Sequence, residues 1–485
     1  MGGKTRKRNS IYALCVCLLL AGCGGKGAGS QEEAGLESLQ STGGSGTEIQ
    51  RGQEETPEGS DSSEESDSSE ESDTSEGPDT SEGLDTSKGP DTSKAVADSG
   101  TAGESLPSGL HQEASSPQIT LVMVGDILLH TPVADSGRQE DGTYNFDAIF
   151  AGLSEEIAAA DLALVNQEVI LGGEELGISG YPCFNAPYEL GDALVDAGFD
   201  VVLHATNHAL DKGARGLDNC LAFWEEYYPG QAVLGIHGSI EDQQEIYVYE
   251  QEGIRIAILN YTYGTNGIPL PADMPYGVDL LEKKRVLEDL ERAGDLADFV
   301  IVCPHWGTEY KLEASKFQQE WARLFAENGA DLVLGTHPHV IEPVVWVEDT
   351  LVYYSLGNFV NWTSGKGAGV ANRMVGAMAQ VTVGLDENGE AYIAEYGVEP
   401  VVCHVEAGIG GVTVYPLEIY TQELAAQNEI VRQDGGFSLE YCKELCEKVF
   451  GELAWESVVN GDRMEHEDRG ENQGSGEKDG VENGG

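Results

Sequence analysis

Positive charge is what this chain lacks most. It has 27 Lys and Arg against 85 Asp and Glu, a formal net charge of −58 over 485 residues. So anionic a chain repels phosphate backbones and anionic headgroups, which excludes nucleic acid as a partner and leaves cationic wall polymers or metal ions as complements. None of the nine cysteines forms a CxxC pair, so a thiolate zinc site is not expected. Spanning segments are lacking as well, since the apolar run "IYALCVCLLLAGC" is too short to cross a bilayer as a helix. Residues 26 to about 117 hold almost no aromatic or branched apolar side chains. Their degenerate repeat, "SDSSEESDSSEESDTSEGPDTSEGLDTSKGPDTSK", buries too little apolar surface to offset its ordering entropy, and is expected to form a disordered, self-repelling tether.

What is present begins with an export signal. Lys4, Arg6, Lys7 and Arg8 precede the short apolar run. Its end, "LAGC", resembles the lipobox of bacterial lipoprotein signal peptides, which implies cleavage before Cys23, a lipid on that sulfur, and an extracytoplasmic protein anchored to the bacterial cell membrane. The expected organisation is a signal peptide at 1–22, a disordered linker at 23–117, a folded domain at 118–402, a small C-terminal extension at 403–460 and a disordered acidic tail at 461–485. Cleavage leaves Cys183, Cys220, Cys303, Cys403, Cys442 and Cys446 besides the lipidated residue. Cys442 and Cys446 have helical spacing in "LEYCKELCEKVF" and read as buried small residues.

From Gln118 to Val402, short apolar runs alternate with amphipathic stretches, the pattern of an α/β protein with buried strands. Strands are expected at "ITLVMVGD", "LALVNQE", "DVVLHATNH", "QAVLGI", "RIAILNYT", "DFVIVCPHWG", "DLVLGTHPHV" and "LVYYSLGNFV". Helices are expected at "PYELGDALVDAGF", "ARGLDNCLAFWEEYY", "LLEKKRVLEDLERAG" and "ASKFQQEWARLFAENG", with hairpin turns at "QEG" and "DENG".

The decisive regularity is where polar residues fall. Ligands of open α/β sheets bind beyond the carboxyl ends of the strands. Here those ends carry Asp126, Asn166 with Glu168, Asn207 with His208, His305, His337 with His339, and Ser355 to Asn358. Imidazoles, carboxylates and an amide oxygen without thiolate suit manganese, iron or zinc. More donors are present than one ion needs, so a pair of divalent metals sharing one carboxylate is the economical expectation. In "VLGTHPHVIEP", Pro338 stiffens the backbone between His337 and His339, so that both imidazoles reach one pocket and serve neighbouring ions.

The stretches "VGDILL", "VNQEV", "FNAPYELGDALVDAGFDVVLHATNHALDKG", "CPHWGTEY", "GADLVLGTHPHV" and "YSLGNFV", in that order, resemble the CapA family of poly-γ-glutamate capsule biosynthesis proteins, a branch of the calcineurin-like metallophosphoesterase superfamily. The resemblance implies a four-layer α/β/β/α metallophosphoesterase-like sandwich with a metal site in strand-end loops. It implies that Asp126 and His339 bind a first metal, and Asn207, His305 and His337 a second. It leaves His208 as a general acid or a stabiliser of transition-state charge, with Asp211 orienting it. The superfamily's DxH opening is broken, because position 128 is Leu128, and "NQE" replaces its GD. Glu168 is therefore expected to bridge, Asn166 to donate from behind the ligands, and His130 either to replace the missing histidine or to lie in an exposed loop.

These readings make the protein a cell-surface hydrolase or transferase of capsule or envelope polymer, poly-γ-glutamate by resemblance. A non-catalytic accessory of a membrane polymer synthase and a general extracytoplasmic metallophosphatase stand as alternatives. An anionic polymer would be repelled by so acidic a protein unless metals or local cations such as Lys212, Arg215 and Lys311 offset the field.

Overall fold

Apolar runs too short for helices and bounded by glycine and charge become the buried strands of two sheets, in a computed structural model that describes residues 117–460. The expected signal peptide, the lipidated Cys23, the tether up to residue 116 and the tail at 461–485 lie outside the described residues. No helix among the described residues is long and apolar enough to cross a membrane.

The first sheet has the order β14-β13-β12-β1-β2-β3-β4. Its parallel part is β1 (Gln118–Ile127), β2 (Leu162–Asn166), β3 (Val201–Leu203) and β4 (Ala232–Leu234). Parallel neighbours need crossovers. These are made by α1 (Thr131–Ser136), α2 (Asp147–Phe150), α3 (Ser154–Ala159), α4 (Glu189–Ala197) and α5 (Gly213–Tyr227). The antiparallel part is β12 (Val375–Leu385), β13 (Ala391–Val405) and β14 (Val412–Pro416), with the two-residue β15 (Val458–Val459) on β13.

The second sheet has the order β5-β6-β7-β8-β10-β9. It comprises β5 (Tyr247–Gln251), β6 (Ile254–Thr262), β7 (Phe299–His305), β8 (Leu332–Leu334), β9 (Ile341–Val347) and β10 (Thr350–Leu356). After the short α6 (Ile240–Gln243), α7 (Lys283–Leu296) and α8 (Lys316–Ala326) connect its parallel strands. A capping box starts α8: Ser315 Oγ accepts from the Gln318 amide at 3.3 Å and Gln318 Oε1 accepts from the Ser315 amide at 2.8 Å.

Side-chain alternation sorts the layers, because successive residues of a strand face opposite sides. Ile256, Ile258, Ile301, Cys303, Leu332 and Leu334 join the core shared with the first sheet and its helices. Their neighbours Ala257, Leu259, Val300, Val302 and Val333 pack instead against Val286, Leu290 and Ala293 of α7 and Ala322 and Phe325 of α8. The result is the four-layer α/β/β/α sandwich implied by the sequence.

Both expected hairpins form. The turn between β5 and β6 places Glu252 and Gly253 at φ 55° and 86°, and that between β12 and β13 is closed by Asp386 Oδ1, which accepts from the amides of Asn388 and Glu390. Residues 403–460 add β14, β15, α9 (Gln422–Gln427) and α10 (Leu439–Phe450), and the expected boundary at 402/403 falls inside β13. Cys442 and Cys446 are buried on α10.

The chain passes between the layers twice, after β4 and again after β10, and the second crossing builds the site. β10 of the second sheet ends at Leu356, Gly357 turns the chain at φ 65°, and β11 (Asn358–Val360) enters the first sheet parallel to β1. A Cβ on Gly125 would lie 1.9 Å from the Gly357 carbonyl oxygen, so only glycine permits this approach.

Candidate metal centre

The crossing sets Asp126 opposite Asn358 and Asn166 in the register of β1. Asp126, Glu168, Asn207 and Asn358 come from the first sheet, while His305, His337 and His339 come from the ends of β7 and β8 in the second. Acids and amides thus meet imidazoles at the seam between the sheets, and all these residues are buried.

Their atoms form two overlapping groups. In one, donor atoms of Asp126, Glu168 and His339 lie within 4.8 Å of one another, and in the other those of Glu168, His305 and His337 do. Glu168 belongs to both, with Oε1 at 3.6 Å from His305 Nε2 and 3.7 Å from His339 Nε2. Asp126 Oδ2 is 3.2 Å from His339 Nδ1. Asn207 Oδ1 lies 2.8 Å from His305 Nε2, and Asn358 Oδ1 3.1 Å from His339 Nδ1. Asn166 sits behind them, its Nδ2 donating to Asp126 Oδ1 at 2.9 Å and approaching His305 Nδ1 at 3.4 Å.

The Thr-His-Pro-His turn is held open by its backbone. His337 and His339 have φ of 100° and 60°, left-handed values that cost a non-glycine residue on the order of 1–3 kcal/mol each. Hydrogen bonds maintain that geometry: the Tyr310 amide donates to Pro338 O at 2.8 Å, Asn358 Nδ2 to His339 O at 3.0 Å and Ser355 Oγ to Val340 O at 2.8 Å. The two rings stand 5.7 Å apart, and His337 is 4.9 Å from His305.

Several polar atoms inside the cage have no hydrogen-bond partner. Both carboxylate oxygens of Glu168, Nδ1 of His337 and Oδ1 of Asn166 are buried and unsatisfied among the described residues. Orphans of this kind cost about 1–3 kcal/mol each, more when charged, and ask for an unshown partner. Lone pairs from carboxylate, imidazole and amide oxygen make a donor set that fits divalent cations.

Electrostatics distinguishes the members. Burial pushes Asp126 up, and the charge of Glu168 adds to it. Burial acts the same way on Glu168, but His339 and His305 outweigh it and hold that carboxyl well below its usual range. Burial opposes charging of His339, yet Glu168 and Asp126 prevail and push it up to about 9. Burial and the neighbouring imidazoles drive His337 well down.

At the rim, His208 Nδ1 lies 2.7 Å from Asp211 Oδ2, which also accepts from the Phe184 amide at 2.7 Å. The Phe184 ring stands edge-on to His208 at 4.7 Å. His208 belongs to neither donor group. His130 also stays outside both groups and lines the cavity beside His339. It is half-buried against Phe184 at 5.0 Å, and desolvation pulls it down to about 4. Leu128 occupies the position of the missing histidine and packs into the core.

Sequence reading missed several neighbours. Asn266, in a turn at φ 52°, links Asn207 at 3.2 Å to His208 at 3.4 Å. Thr336 Oγ1 lies 3.0 Å from His305 Nδ1, and Tyr263 and Tyr310 set their rings 4.6 and 6.0 Å from His337 and His339. Thr336 stood in plain view within "GTHPH", and Asn266-Gly267 is a recognisable turn pair. Lys212, Arg215 and Lys311 are not among the residues lining the cavity beside the cage, whose one guanidinium is Arg373.

The family model described as bacterial capsule synthesis protein PGA_cap matches residues 120–363. The chain is 33% identical over 175 residues to the PGA biosynthesis protein CapA of Bacillus subtilis (strain 168), covering 35% of this chain and 45% of that protein. It is 29% identical over 268 residues to the capsule biosynthesis protein CapA of Bacillus anthracis, covering 53% of this chain and 63% of that protein. The chain therefore spans less than two thirds of either relative. Among solved structures, a putative 5′-nucleotidase from Staphylococcus aureus superposes with a TM-score of 0.38 at 15% identity, covering 62% of this chain and 54% of that one.

Proposed function

Because the chain belongs to the bacterial capsule synthesis protein family PGA_cap, we propose that the seam between its sheets holds two divalent cations and hydrolyses or transfers a bond of capsule or envelope polymer. Asp126 and His339 would hold one ion, Asn207, His305 and His337 the other, with Glu168 between them. Glu168 carries this reading: it is a fully buried glutamate, kept ionised by imidazoles, with neither oxygen hydrogen-bonded. When bound, such a pair supplies Lewis acidity and an activated water, and manganese, iron and zinc all suit the donors.

The chain's own residues supply the rest. His208 would protonate the leaving group from the rim, with Asp211 fixing its ring through Nδ1 and leaving Nε2 to carry the transferred proton. Asn166 orients Asp126 and His305 together. An export signal and a lipid on Cys23, as the N-terminal sequence suggests, would put the enzyme outside the cytoplasm on a lipid anchor, next to the polymer and to any membrane synthase that makes it.

Elemental analysis of the full-length protein, with hydrolysis assays on a chromogenic phosphodiester and on polyglutamate, tests this reading. Two equivalents of a transition metal and metal-dependent turnover are expected. Less than one equivalent with no turnover of either substrate would sink the hydrolase and leave the accessory role.

A further inference from the structure

Beside the cage opens a cavity of about 420 Å³ whose wall bears no carboxylate. In a chain with 85 acidic and 27 basic residues, that is a local easing of the global field, with Glu309 beside Tyr310 and Glu168 in the cage as the nearest carboxylates. His339 belongs to this wall and to the cage, so whatever fills the cavity also meets the donor groups. Tyr181, Tyr310 and Trp362 supply aromatic surface, and Arg373 supplies the wall's permanent charge.

Arg373 is held as a reagent rather than as half of a salt bridge. Its Cζ lies 3.6 Å above the centre of the Tyr310 ring, and Nη1 donates to Thr363 Oγ1 at 3.0 Å. Among the described residues, no carboxylate pairs with it. Its carbonyl oxygen accepts from Asn358 Nδ2 at 3.0 Å, and Asn358 Oδ1 is 3.1 Å from His339 Nδ1. One asparagine thus fixes the backbone of the arginine relative to the cage. Stacking on tyrosine leaves the guanidinium edge, with its fork of N–H donors, free for a planar anion.

We propose that Arg373 anchors a carboxylate of the substrate, so that the cavity accepts a chain segment bearing a carboxylate beside the group presented to the cage. The orientation toward the cage rests on the hydrolytic reading above; the anion site itself does not. A single fork matches one planar, singly charged carboxylate, whereas a phosphate dianion would keep uncompensated charge inside a strongly anionic protein. The anchor also shows how so acidic a chain can accept an acidic polymer.

Calorimetric titration of the full-length protein in chelator with a glutamate tetramer tests the anchor without requiring turnover. Arg373→Gln should weaken tetramer binding by roughly 10- to 100-fold, the loss that accompanies one charge-assisted hydrogen bond. Arg373→Lys, which keeps the charge but loses the fork, should fall between, and a C-terminally amidated glutamine tetramer, which bears no carboxylate, should bind wild type and variant alike. Thermal melts superimposable on wild type confirm that the variants fold, and Tyr310→Leu, which removes the stacking partner, provides a second, independent weakening. Equal tetramer affinity in wild type and Arg373→Gln overturns the proposal, as does displacement of the tetramer by inorganic phosphate at lower concentration. If the wild-type protein binds the tetramer through Arg373 but hydrolyses nothing when loaded with manganese, the anchor stands and the hydrolase falls.

Discussion

Glu168 and Glu342 are the same residue type, both fully buried, and each has an oxygen without a hydrogen bond. Glu168 sits at the sheet seam among imidazoles and is held below the usual carboxylate range. Glu342, on β9, accepts a hydrogen bond from the side-chain amide of Gln318 on α8, and burial pushes it up to about 8. Burial alone neutralises a carboxyl; burial among cationic partners keeps it charged and ready for a metal. Exposure therefore does not separate a charged buried acid from a neutral one, whereas the company each keeps does.

The sharpest way to break this comparison is to remove the charge that matters. Glu168→Ala should empty the centre and lower metal-dependent turnover on the order of 10⁴-fold or more, read by elemental analysis and initial rates. Turnover and metal content as in wild type would make Glu168 as structural as Glu342. His208→Ala should cost about 10²- to 10⁴-fold in rate while metal content stays intact, because the ring lies outside both donor groups. Loss of metal from that variant would move His208 into the cage.

Stability sharpens the contrast further. In metal-free protein, His339 is raised from 6.5 to about 9, so its stabilising contribution is full below pH 6.5 and lost as pH rises through 9. Chelated protein should lose on the order of 2–3 kcal/mol across that window by denaturant titration. Metal affinity should rise over the same window, since the ion displaces that proton. For Glu342 the sign differs. Its carboxyl is raised from 4.5 to about 8, so an unfavourable contribution grows between those values and then levels. Glu342→Gln should leave stability at pH 4 unchanged and raise it at pH 9 on the order of 1–2 kcal/mol. A variant no more stable than wild type at pH 9 would show that Glu342 is ionised there without penalty.

Most of the cage was legible because a parallel strand is buried on both faces, so that a polar residue at its end is conspicuous against Val, Leu and Ile. Asp126, Glu168, His305 and the two histidines around Pro338 all follow such runs, and the structure brings them together. What lacked a run lacked a signal. β9 begins directly after the histidine turn and carries Glu342 and Pro343 with half-exposed neighbours, so its strand character was lost in the preceding motif. Arg373 follows the glycine-rich stretch "SGKGAGVANR", which has no period to read, and reaches the site through the amide of Asn358. Lys212, Arg215 and Lys311, close to the motifs in sequence, are not among the residues lining the cavity, because closeness along the chain does not by itself bring a side chain to a cavity wall.

The division of the donors between the layers also bears on how the protein matures. A chain that has formed only the first sheet offers carboxylates and amides, and one that has formed only the second offers imidazoles, each by itself a poor match for a borderline cation. Because β11 to β14 of the first sheet follow β10 of the second, the full donor set is present only after the polypeptide has entered the second layer and returned through Gly357, so a complete cage would mark finished assembly.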